Sequence, residues 1–300
     1  MNGSRAFVLL MAMSPWVAAC RETPQAKAGE VQAVQTARKR ELARRLALAD
    51  ARPEKPAPVA QWIMPPELRE ISGLTLTTRG TVITHDDNFG RVYEIDPKTG
   101  ILLKGFSLEG GVRGDFEAIT LAGTDVYLLE SKGKIYKFEE GADGAQVPYS
   151  VFDTKLGKEC EFESLAYEAD STRLVMVCKK IRGKNASHEL LIYRFPLPFD
   201  RSTMTTVSVP IEDVTGLNKW KDFHASDITI DPITKNYVMI ASREKGLLVM
   251  TPDGDVVRSG PLPGDHRQPE GVAITRDSIL IVSDEVNVRP AAITLYRWRP

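Results

Sequence analysis

The feature that most constrains the fold is a short pattern that recurs five times along the chain. Each copy has Ser or Glu second, an aliphatic residue fourth and Thr or Ala fifth. The copies are Ile71–Thr75, Phe116–Thr120, Phe162–Ala166, Ala225–Thr229 and Pro269–Ala273. Their second residues are separated by 45, 46, 63 and 44 residues. Blades of β-propellers are four-stranded units of about 40–50 residues, so the repeat predicts five blades. The interval of 63 residues is too short for two blades and holds longer loops.

Each repeat contains short strand-like runs separated by turn residues, as expected of a propeller blade. The first repeat predicts strands at 71–76, 80–85, 91–95 and 101–108. The second predicts strands at 116–121, 125–130, 134–138 and 147–152, and the fourth at 226–231, 236–241, 246–250 and 255–262. The sequence therefore predicts an all-β fold, with a single propeller over residues 61–300.

The fifth repeat is one strand short. It predicts strands near 270–275, 279–284 and 292–298, and the sequence then stops at Pro300. The apolar run Gln61–Met64 lies just before the first repeat and has no other partner. We expect this run to supply the missing outer strand, which would close the ring and cover both sheet edges. The alternative for the same strands is an open sandwich.

The N-terminus has the pattern of a bacterial export signal. Residues 1–19 contain one early arginine, the apolar run Ala6–Met13 and small residues directly before Cys20. This resembles a lipobox, which predicts cleavage before Cys20 and acylation of its thiol. An ordinary secretory signal cut at the same place is the alternative. The lipoprotein interpretation predicts a lipid-anchored protein of the bacterial envelope, with its propeller in the periplasm or exposed outside. Arg21 favours the outer membrane.

Residues 20–60 are predicted to form a tether between the anchor and the propeller. Residues 26–50 are rich in strong helix formers. Their thin apolar stripe consists of Val31, Val34, Leu42 and Leu46. We interpret this helix as a spacer; a coiled-coil partner or a basic helix lying on a membrane surface are alternatives. The proline-rich run Arg52–Pro58 ends the helix and forms a stiff linker.

The charge of the chain is unevenly distributed. The formal net charge is −1, but residues 20–60 carry +4 and residues 61–300 carry −6. Phosphate binding needs a basic surface, so the acidic propeller argues against nucleic acid as a partner. It is compatible with cations and with basic or neutral ligands. The expected partners are the membrane, through the anchor, and an unidentified small ligand or envelope protein.

Propeller geometry brings distant charges to one face. The first strand of each blade lines the axis, and it begins on the same face as the loop between the second and third strands. We therefore expect Glu117, Glu163 and Glu270 to approach one another near the axis. The further residues predicted around this mouth are Asp86, Asp87, Glu130, Lys179, Arg243, Asp284 and Glu285. Convergent polar groups on loops of this kind are typical of a ligand site.

Three converging carboxylates repel one another unless they are protonated, hydrogen-bonded or bound to a metal. Several oxygen ligands without paired histidines suit Ca²⁺ or Mg²⁺ better than Zn²⁺. The candidate cofactor is therefore Ca²⁺ on Glu117, Glu163 and Glu270. Two alternatives remain open. Each glutamate could accept backbone N–H bonds from a neighbouring blade and fix the ring, or the glutamates could do acid–base work.

Cys160 and Cys178 are the two cysteines left if Cys20 is acylated. An oxidising compartment would permit a disulfide between them. In a regular hairpin of 162–167 with 173–178, Cys178 faces about residue 164. Cys160 then lies about four residues, or ~13 Å, farther along the strand. That distance exceeds the reach of a disulfide, so we expect no bridge.

Five short motifs carry a resemblance over about residues 62–300. They are Glu70–Leu74, Tyr93–Gly100, Gly114–Ile119, Glu161–Leu165 with Cys178–Lys179, and Gln268–Gly271. They resemble the SdiA-regulated (YjiK-like) propeller family, which is similar in fold to phytase-type propellers. The resemblance implies an envelope propeller, a calcium link in some relatives and no established reaction. The Asp-Asp-Pro and Asn-Asn-x-Asp elements of phytases are not found, and two family-typical Glu-Gly pairs appear as Glu117-Ala118 and Glu163-Ser164.

Three classes of function fit these features. The first is an envelope-anchored binding or interaction module linked to Ca²⁺, which needs no nucleophile. No G-x-S-x-G, Walker, CxxC or HExxH motif is present. The alternative is a metal-dependent hydrolase, phytase-like or lactonase-like, in which Ca²⁺ on the three glutamates activates a water molecule. The third is an assembly scaffold that uses the flat faces of the ring.

Overall fold

A computed structural model describes residues 24–54, 56–183 and 188–300 of the chain. The predicted signal peptide and Cys20 lie outside the described residues. The chain divides into two compact units, Met1–Ala37 and Arg38–Pro300. Within the described residues, no helix has both the length and the apolar character needed to cross a membrane.

Helix α1 spans Pro24–Asp50 and strand β1 spans Pro58–Ile63. The first blade contains β2 (Ile71–Leu76), β3 (Val82–Asp86), β4 (Arg91–Asp96) and β5 (Ile101–Leu108). The second contains β6 (Phe116–Ala122), β7 (Asp125–Glu130), β8 (Lys134–Glu139) and β10 (Tyr149–Asp153). The short strand β9 (Gln146–Val147), which precedes β10, pairs in parallel with β5 of the first blade. The third contains β11 (Cys160–Glu168), β12 (Arg173–Ile181), β13 (Glu189–Pro196) and β14 (Thr205–Pro210).

The fourth blade contains β15 (Ala225–Ile230), β16 (Tyr237–Ala241), β17 (Gly246–Met250) and β18 (Val256–Pro261). The fifth contains β19 (Pro269–Ile274), β20 (Ile279–Asp284), β21 (Ala292–Arg297) and β1. Between the third and fourth blades, the short helix α2 spans Ile211–Thr215. Single 3₁₀ turns occur at Pro66–Leu68, Ala169–Ser171 and Arg201–Thr203.

The five innermost strands form a closed ring. In the order β2, β6, β11, β15 and β19, each strand contacts the next, and β19 contacts β2. The predicted all-β propeller of five four-stranded blades is therefore confirmed. The predicted strand boundaries lie within about two residues of the observed ones, because each blade repeats the same short-range alternation of apolar strand and polar turn.

The hydrophobic core consists of five layers, each between two neighbouring blades. Ile83 and Phe106 of the first blade, for example, pack with Phe116 and Leu128 of the second. Strands such as β16 and β20 are buried along their whole length, because both of their faces contact another blade. This arrangement explains why the strands contain long apolar runs rather than a strict alternation of apolar and polar residues.

The predicted closure of the ring by the N-terminal strand is also confirmed. Strand β1 pairs antiparallel with β21, with Trp62 opposite Ile293. The indole Nε1 of Trp62 donates a hydrogen bond to the carbonyl oxygen of Pro97 in the first blade at 2.8 Å. The closing strand is thus held by the fifth blade through its backbone and by the first blade through Trp62.

The helix predicted over residues 26–50 is present, and its second half packs on the propeller. From Arg38 onward the helix belongs to the same compact unit as the blades. Leu42 is buried, and Leu46 packs against the same core layer between the fifth and first blades. An ion pair of 3.3 Å joins Lys39 to Asp96, and Arg297 pairs with Asp50 at 2.7 Å. This half of the helix therefore braces the closing blade instead of extending freely as a spacer.

Candidate functional site

The structure brings Glu117, Glu163 and Glu270 together around Lys179. Each glutamate lies near the start of an innermost strand, in the second, third and fifth blades. Lys179 is near the end of β12, and its ammonium group donates a hydrogen bond to the carboxylate of Glu163. Burial alone would lower the pKa of Lys179, but the charges of the three glutamates raise it. The lysine is therefore the internal counter-ion of the mouth.

The three glutamates differ in protonation because their surroundings differ. Burial, together with the charges of Glu163 and Asp115, raises the pKa of Glu117 to about 9. Burial also raises the pKa of Glu163, but Lys179 opposes the effect and the value is about 7. The pKa of Glu270 is raised by burial and lowered in part by Lys179. At neutral pH, Glu117 is protonated and Glu163 is close to its titration midpoint.

A second acidic cluster lies beside the first, between the first and fifth blades. Glu70 directly precedes β2, Asp87 directly follows β3 and Glu285 directly follows β20. One oxygen of each carboxyl group lies within 4.8 Å of the other two, and no other set of three acidic, histidine or cysteine side chains meets this criterion within the described residues. We call this set the rim cluster. Glu117, Glu163 and Glu270, in contrast, surround an ammonium group and do not form so close a set.

The carboxyl groups of the rim cluster repel one another. Burial, a hydrogen bond to Glu70 and the charge of Glu70 raise the pKa of Glu285 to about 8. Burial and the charges of Glu70 and Asp86 raise the pKa of Asp87 to about 6. The charge of Glu270 contributes to the shift of Glu285, so the two clusters interact. A divalent cation would remove this repulsion by replacing the shared proton.

Two of the other predicted mouth residues cap loops. Asp86 accepts a hydrogen bond from the backbone N–H of Asn88 at 2.9 Å and so fixes the turn after β3. Asp284 accepts a bond from the backbone N–H of Arg267 at 3.0 Å and one from His266 Nδ1 at 2.5 Å. Since both carboxylates are already occupied by hydrogen bonds, they position the neighbouring Asp87 and Glu285 rather than facing a ligand.

Glu130 and Arg243 do not join the two acidic clusters. Glu130 is buried in the second blade, where its carboxylate accepts a hydrogen bond from the hydroxyl of Tyr136 at 3.2 Å. Lys134 lies 3.7 Å from the same carboxylate. The side chain of Arg243 is exposed and forms no ion pair within the described residues. The structure thus divides the predicted residues into an axial cluster, a rim cluster and supporting groups.

The structure contains a disulfide between Cys160 and Cys178, so the expectation of unpaired cysteines was wrong. The two Cα atoms are 5.6 Å apart. The hairpin is not regular, because the pairing of β11 with β12 shifts on both sides of Phe162. Cys178 consequently lies opposite Phe162, two residues nearer to Cys160 than in a regular hairpin. The bridge ties the strand that carries Glu163 to the residue before Lys179.

Serine hydroxyls provide links between blades of the kind that one of the alternatives assigned to the glutamates. Ser72 Oγ donates to the carbonyl oxygen of Glu117 at 3.3 Å, and Ser226 Oγ donates to that of Pro269 at 3.0 Å. Ser283 Oγ donates to the carbonyl oxygen of Ser72 at 3.0 Å. Within the described residues, the axial glutamates accept no backbone N–H bond of this kind. The bonds that Glu163 and Glu270 accept come instead from side chains, from Lys179 and from Ser242.

Asp227 forms the floor beneath the mouth and was not singled out from the sequence. It is fully buried, and one of its oxygens accepts the backbone N–H groups of Leu74 at 3.2 Å and Val272 at 2.8 Å. It thus joins the fourth blade to the first and fifth. The available signal was a break in the repeat: the third position is Gly, Ala, Ser or Gly in the other four copies. Glu70 was missed as well, although it directly precedes an innermost strand and so belongs to the same face.

The fold and the site define a five-bladed β-propeller with an acidic mouth on one face. Residues 203–297, just under a third of the chain, match the model of the SdiA-regulated family. This match confirms the resemblance seen in the sequence motifs. A comparison with curated protein sequences gives no match.

Solved structures share the fold at low sequence identity. The chain is similar to a PQQ-bound aldose sugar dehydrogenase of Streptomyces coelicolor, with a TM-score of 0.55, 12% identity and coverage of 81% of this chain and 98% of that one. It is also similar to a glutaminyl cyclase of Myxococcus xanthus, with a TM-score of 0.52, 11% identity and coverage of 82% and 97%. The chain is similar as well to a Bacteroides caccae protein of unknown function, with a TM-score of 0.38 and 14% identity. The match covers 68% of this chain and 65% of the length of that protein. At such identities the likeness concerns the fold alone.

Proposed function

We propose that the chain is a bacterial envelope lipoprotein, anchored through Cys20, whose propeller is a binding module with Ca²⁺ in its mouth. The rim cluster of Glu70, Asp87 and Glu285 supports this most directly. Its oxygens lie within 4.8 Å of one another, which fits inside a Ca²⁺ coordination sphere with Ca–O distances of about 2.3–2.6 Å. The small ligand or envelope protein that the module recognises would bind at the same face.

The electrostatics of the rim cluster provide the driving force for cation binding. The three partly buried carboxyl groups lie within 4.8 Å of one another, and a hydrogen bond joins Glu285 to Glu70. Burial and mutual repulsion raise the pKa values of Glu285 and Asp87, which favours a proton retained between Glu285 and Glu70. A cation that displaces this proton gains the full attraction of three carboxylates. Lys179 makes the axial cluster a poorer cation site, since its ammonium already neutralises Glu163.

Calorimetric titration of the full-length protein with Ca²⁺ tests this proposal. We expect binding at pH 7 to be accompanied by release of roughly one proton, because the pKa of Glu285 is about 8 in the metal-free protein. The proton release is measured by repeating the titration in buffers of different ionisation enthalpy. At pH 9 both the release and the buffer dependence should be much smaller.

The decisive variant is Glu285→Gln, which keeps the shape of the side chain and removes the ligand charge. We expect it to weaken Ca²⁺ binding by about tenfold or more, equivalent to at least about 1.4 kcal/mol. Glu67→Gln is the matched control, because Glu67 is exposed and lies three residues before Glu70. Absence of binding heat, or equal Ca²⁺ affinity in the Glu285→Gln variant and the parent, would refute a metal at the rim cluster.

A hydrolase is the second candidate, and one observation favours it. Glu117 and Glu163 interact electrostatically, and their pKa values are about 9 and about 7. Such a pair, in which one carboxyl group holds its proton and the other is ready to release it, is an arrangement used in acid–base catalysis. Turnover of phytate or of a lactone in the presence of Ca²⁺, reduced about 100-fold or more in Glu117→Gln, would establish this function. Ca²⁺ binding without turnover of either substrate would count against the hydrolase and support the binding module.

A further inference from the structure

A cavity of about 330 Å³ lies at the outer edge of the ring, between the fourth and fifth blades. Strand β18 and the residues around Trp298 line its sides. The rest is lined by Ala49, near the end of α1, and by Arg52, Pro53, Pro56 and Ala57, between α1 and β1. Cavities of this volume are at the lower end of the range that binds small molecules. The cavity shares no lining residue with the acidic mouth.

The walls of this cavity are apolar and fixed in place. Leu247, Leu280, Tyr296 and Trp298 are all buried and contribute to them. The indole Nε1 of Trp298 donates a hydrogen bond of 2.7 Å to Asp231, so the ring cannot turn into the cavity. An apolar ligand body of the right size would therefore meet a preformed surface.

The charge around the cavity is positive. Its arginines are Arg52, Arg258, Arg297 and Arg299. Asp50 pairs with Arg297 at 2.7 Å and lies 3.9 Å from Arg299. Arg52 and Arg258 have no carboxylate within ion-pair distance among the described residues. This excess of positive charge stands out in a propeller whose formal net charge is −6.

Arg258 is the arginine best placed to meet a ligand. Its guanidinium lies 4.9 Å from the centre of the Trp298 ring and donates a hydrogen bond of 3.1 Å to the carbonyl oxygen of Arg299. Arg258 is an exposed residue, but the protein atoms around its guanidinium partly desolvate it and lower its pKa. An anion that paired with the remaining N–H donors would compensate for that burial.

We propose that this cavity binds a small organic anion with an apolar body, such as a medium-chain carboxylate. Its apolar part lies against Trp298 and Leu280, and its carboxylate pairs with Arg258. Arg52 adds a second positive charge at the entrance. The site is independent of the acidic mouth and of any cation bound there.

Calorimetric titration of the full-length protein with octanoate is the test. We expect saturable binding of octanoate, and binding at least about tenfold weaker for octanamide, which has the same body without the charge. Acetate, which has the charge without the body, should not bind measurably. The expected difference in affinity between octanoate and octanamide follows from the greater strength of a hydrogen bond to a charged group in a partly buried site.

Two variants locate the binding site. Arg258→Gln should reduce octanoate affinity by about tenfold or more and leave octanamide affinity nearly unchanged. Gly260→Leu should block both ligands, because Gly260 lines the cavity and a side chain there meets open space. Arg201→Gln is the charge-matched control, since Arg201 is exposed in the third blade. A thermal melt verifies that each variant is folded. Failure of octanoate to bind, equal affinity for octanoate and octanamide, or unchanged binding in both cavity variants would overturn the proposal.

Discussion

At pH 8, in the absence of divalent cations, Glu117→Gln is expected to raise the free energy of unfolding by roughly 3–5 kcal/mol. At pH 5 the same substitution should change it by less than about 1 kcal/mol. The reason is that Gln has the shape of the protonated carboxyl group and cannot ionise. Urea unfolding of the full-length protein, followed by circular dichroism at pH values from 5 to 9, measures both effects.

The direction follows from the protonation of Glu117 in the two states. Its pKa is about 9 in the folded protein, raised by burial and by Glu163, against 4.5 for an unperturbed glutamate. The folded state therefore binds the proton more tightly than the unfolded state. The stability that this proton contributes is fully present below pH 4.5, and it is lost as the pH rises toward 9. In the variant, the contribution of Glu117 is absent, and the losses due to the other carboxyl groups with raised pKa values, such as Glu163 at about 7 and Glu285 at about 8, should remain.

Glu109→Gln is the appropriate control for this experiment. Glu109 is exposed just after β5, so the substitution removes one negative charge from the acidic propeller without touching the axis. Exposed charges contribute little because solvent screens them, and the control should follow the parent at every pH. Parallel loss of stability between pH 5 and 8 in the parent and in Glu117→Gln would show that Glu117 is not the group that titrates.

The fold could be predicted almost completely from the sequence. Each blade is built from local alternation and turns, and the spacing of the repeats fixes the number of blades. The incomplete fifth repeat and the spare run Gln61–Met64 even indicated how the ring closes. Strand pairing inside a blade is local in sequence, so a pattern of short range determines structure at the scale of the whole domain.

The site could be predicted only at the level of which face carries it. Propeller topology places Glu117, Glu163 and Glu270 at the axis whatever their exact contacts are. The details depend on the irregular pairing of β11 with β12, which brings Cys178 to Cys160 and sets Lys179 against Glu163. A shift in strand pairing of this kind leaves no periodic signal, because periodicity reports which side of a strand is buried and not its register.

An effect of similar size and opposite sign is expected from Asp227→Ala, which should lower the free energy of unfolding by about 3–5 kcal/mol at pH 7. Asp227 is fully buried, and its two oxygens accept three backbone N–H bonds, from Leu74, Val272 and Ile228. Truncation leaves these N–H groups without their acceptor in a site that water does not reach. It also removes a side chain that links the fourth blade to the first across the axis.

The variant Asp227→Asn distinguishes the contribution of the hydrogen bonds to stability from that of the negative charge. Burial raises the pKa of Asp227 well above its usual range, while the three N–H bonds oppose that effect. The amide keeps the shape and one acceptor oxygen, so this variant should lose clearly less stability than Asp227→Ala. Both are compared with the parent by urea unfolding at pH 7. If Asp227→Ala came within about 1 kcal/mol of the parent, the bonds to Leu74 and Val272 would not be what holds the ring together beneath the mouth. The position would then need only a small residue, as in the other four repeats.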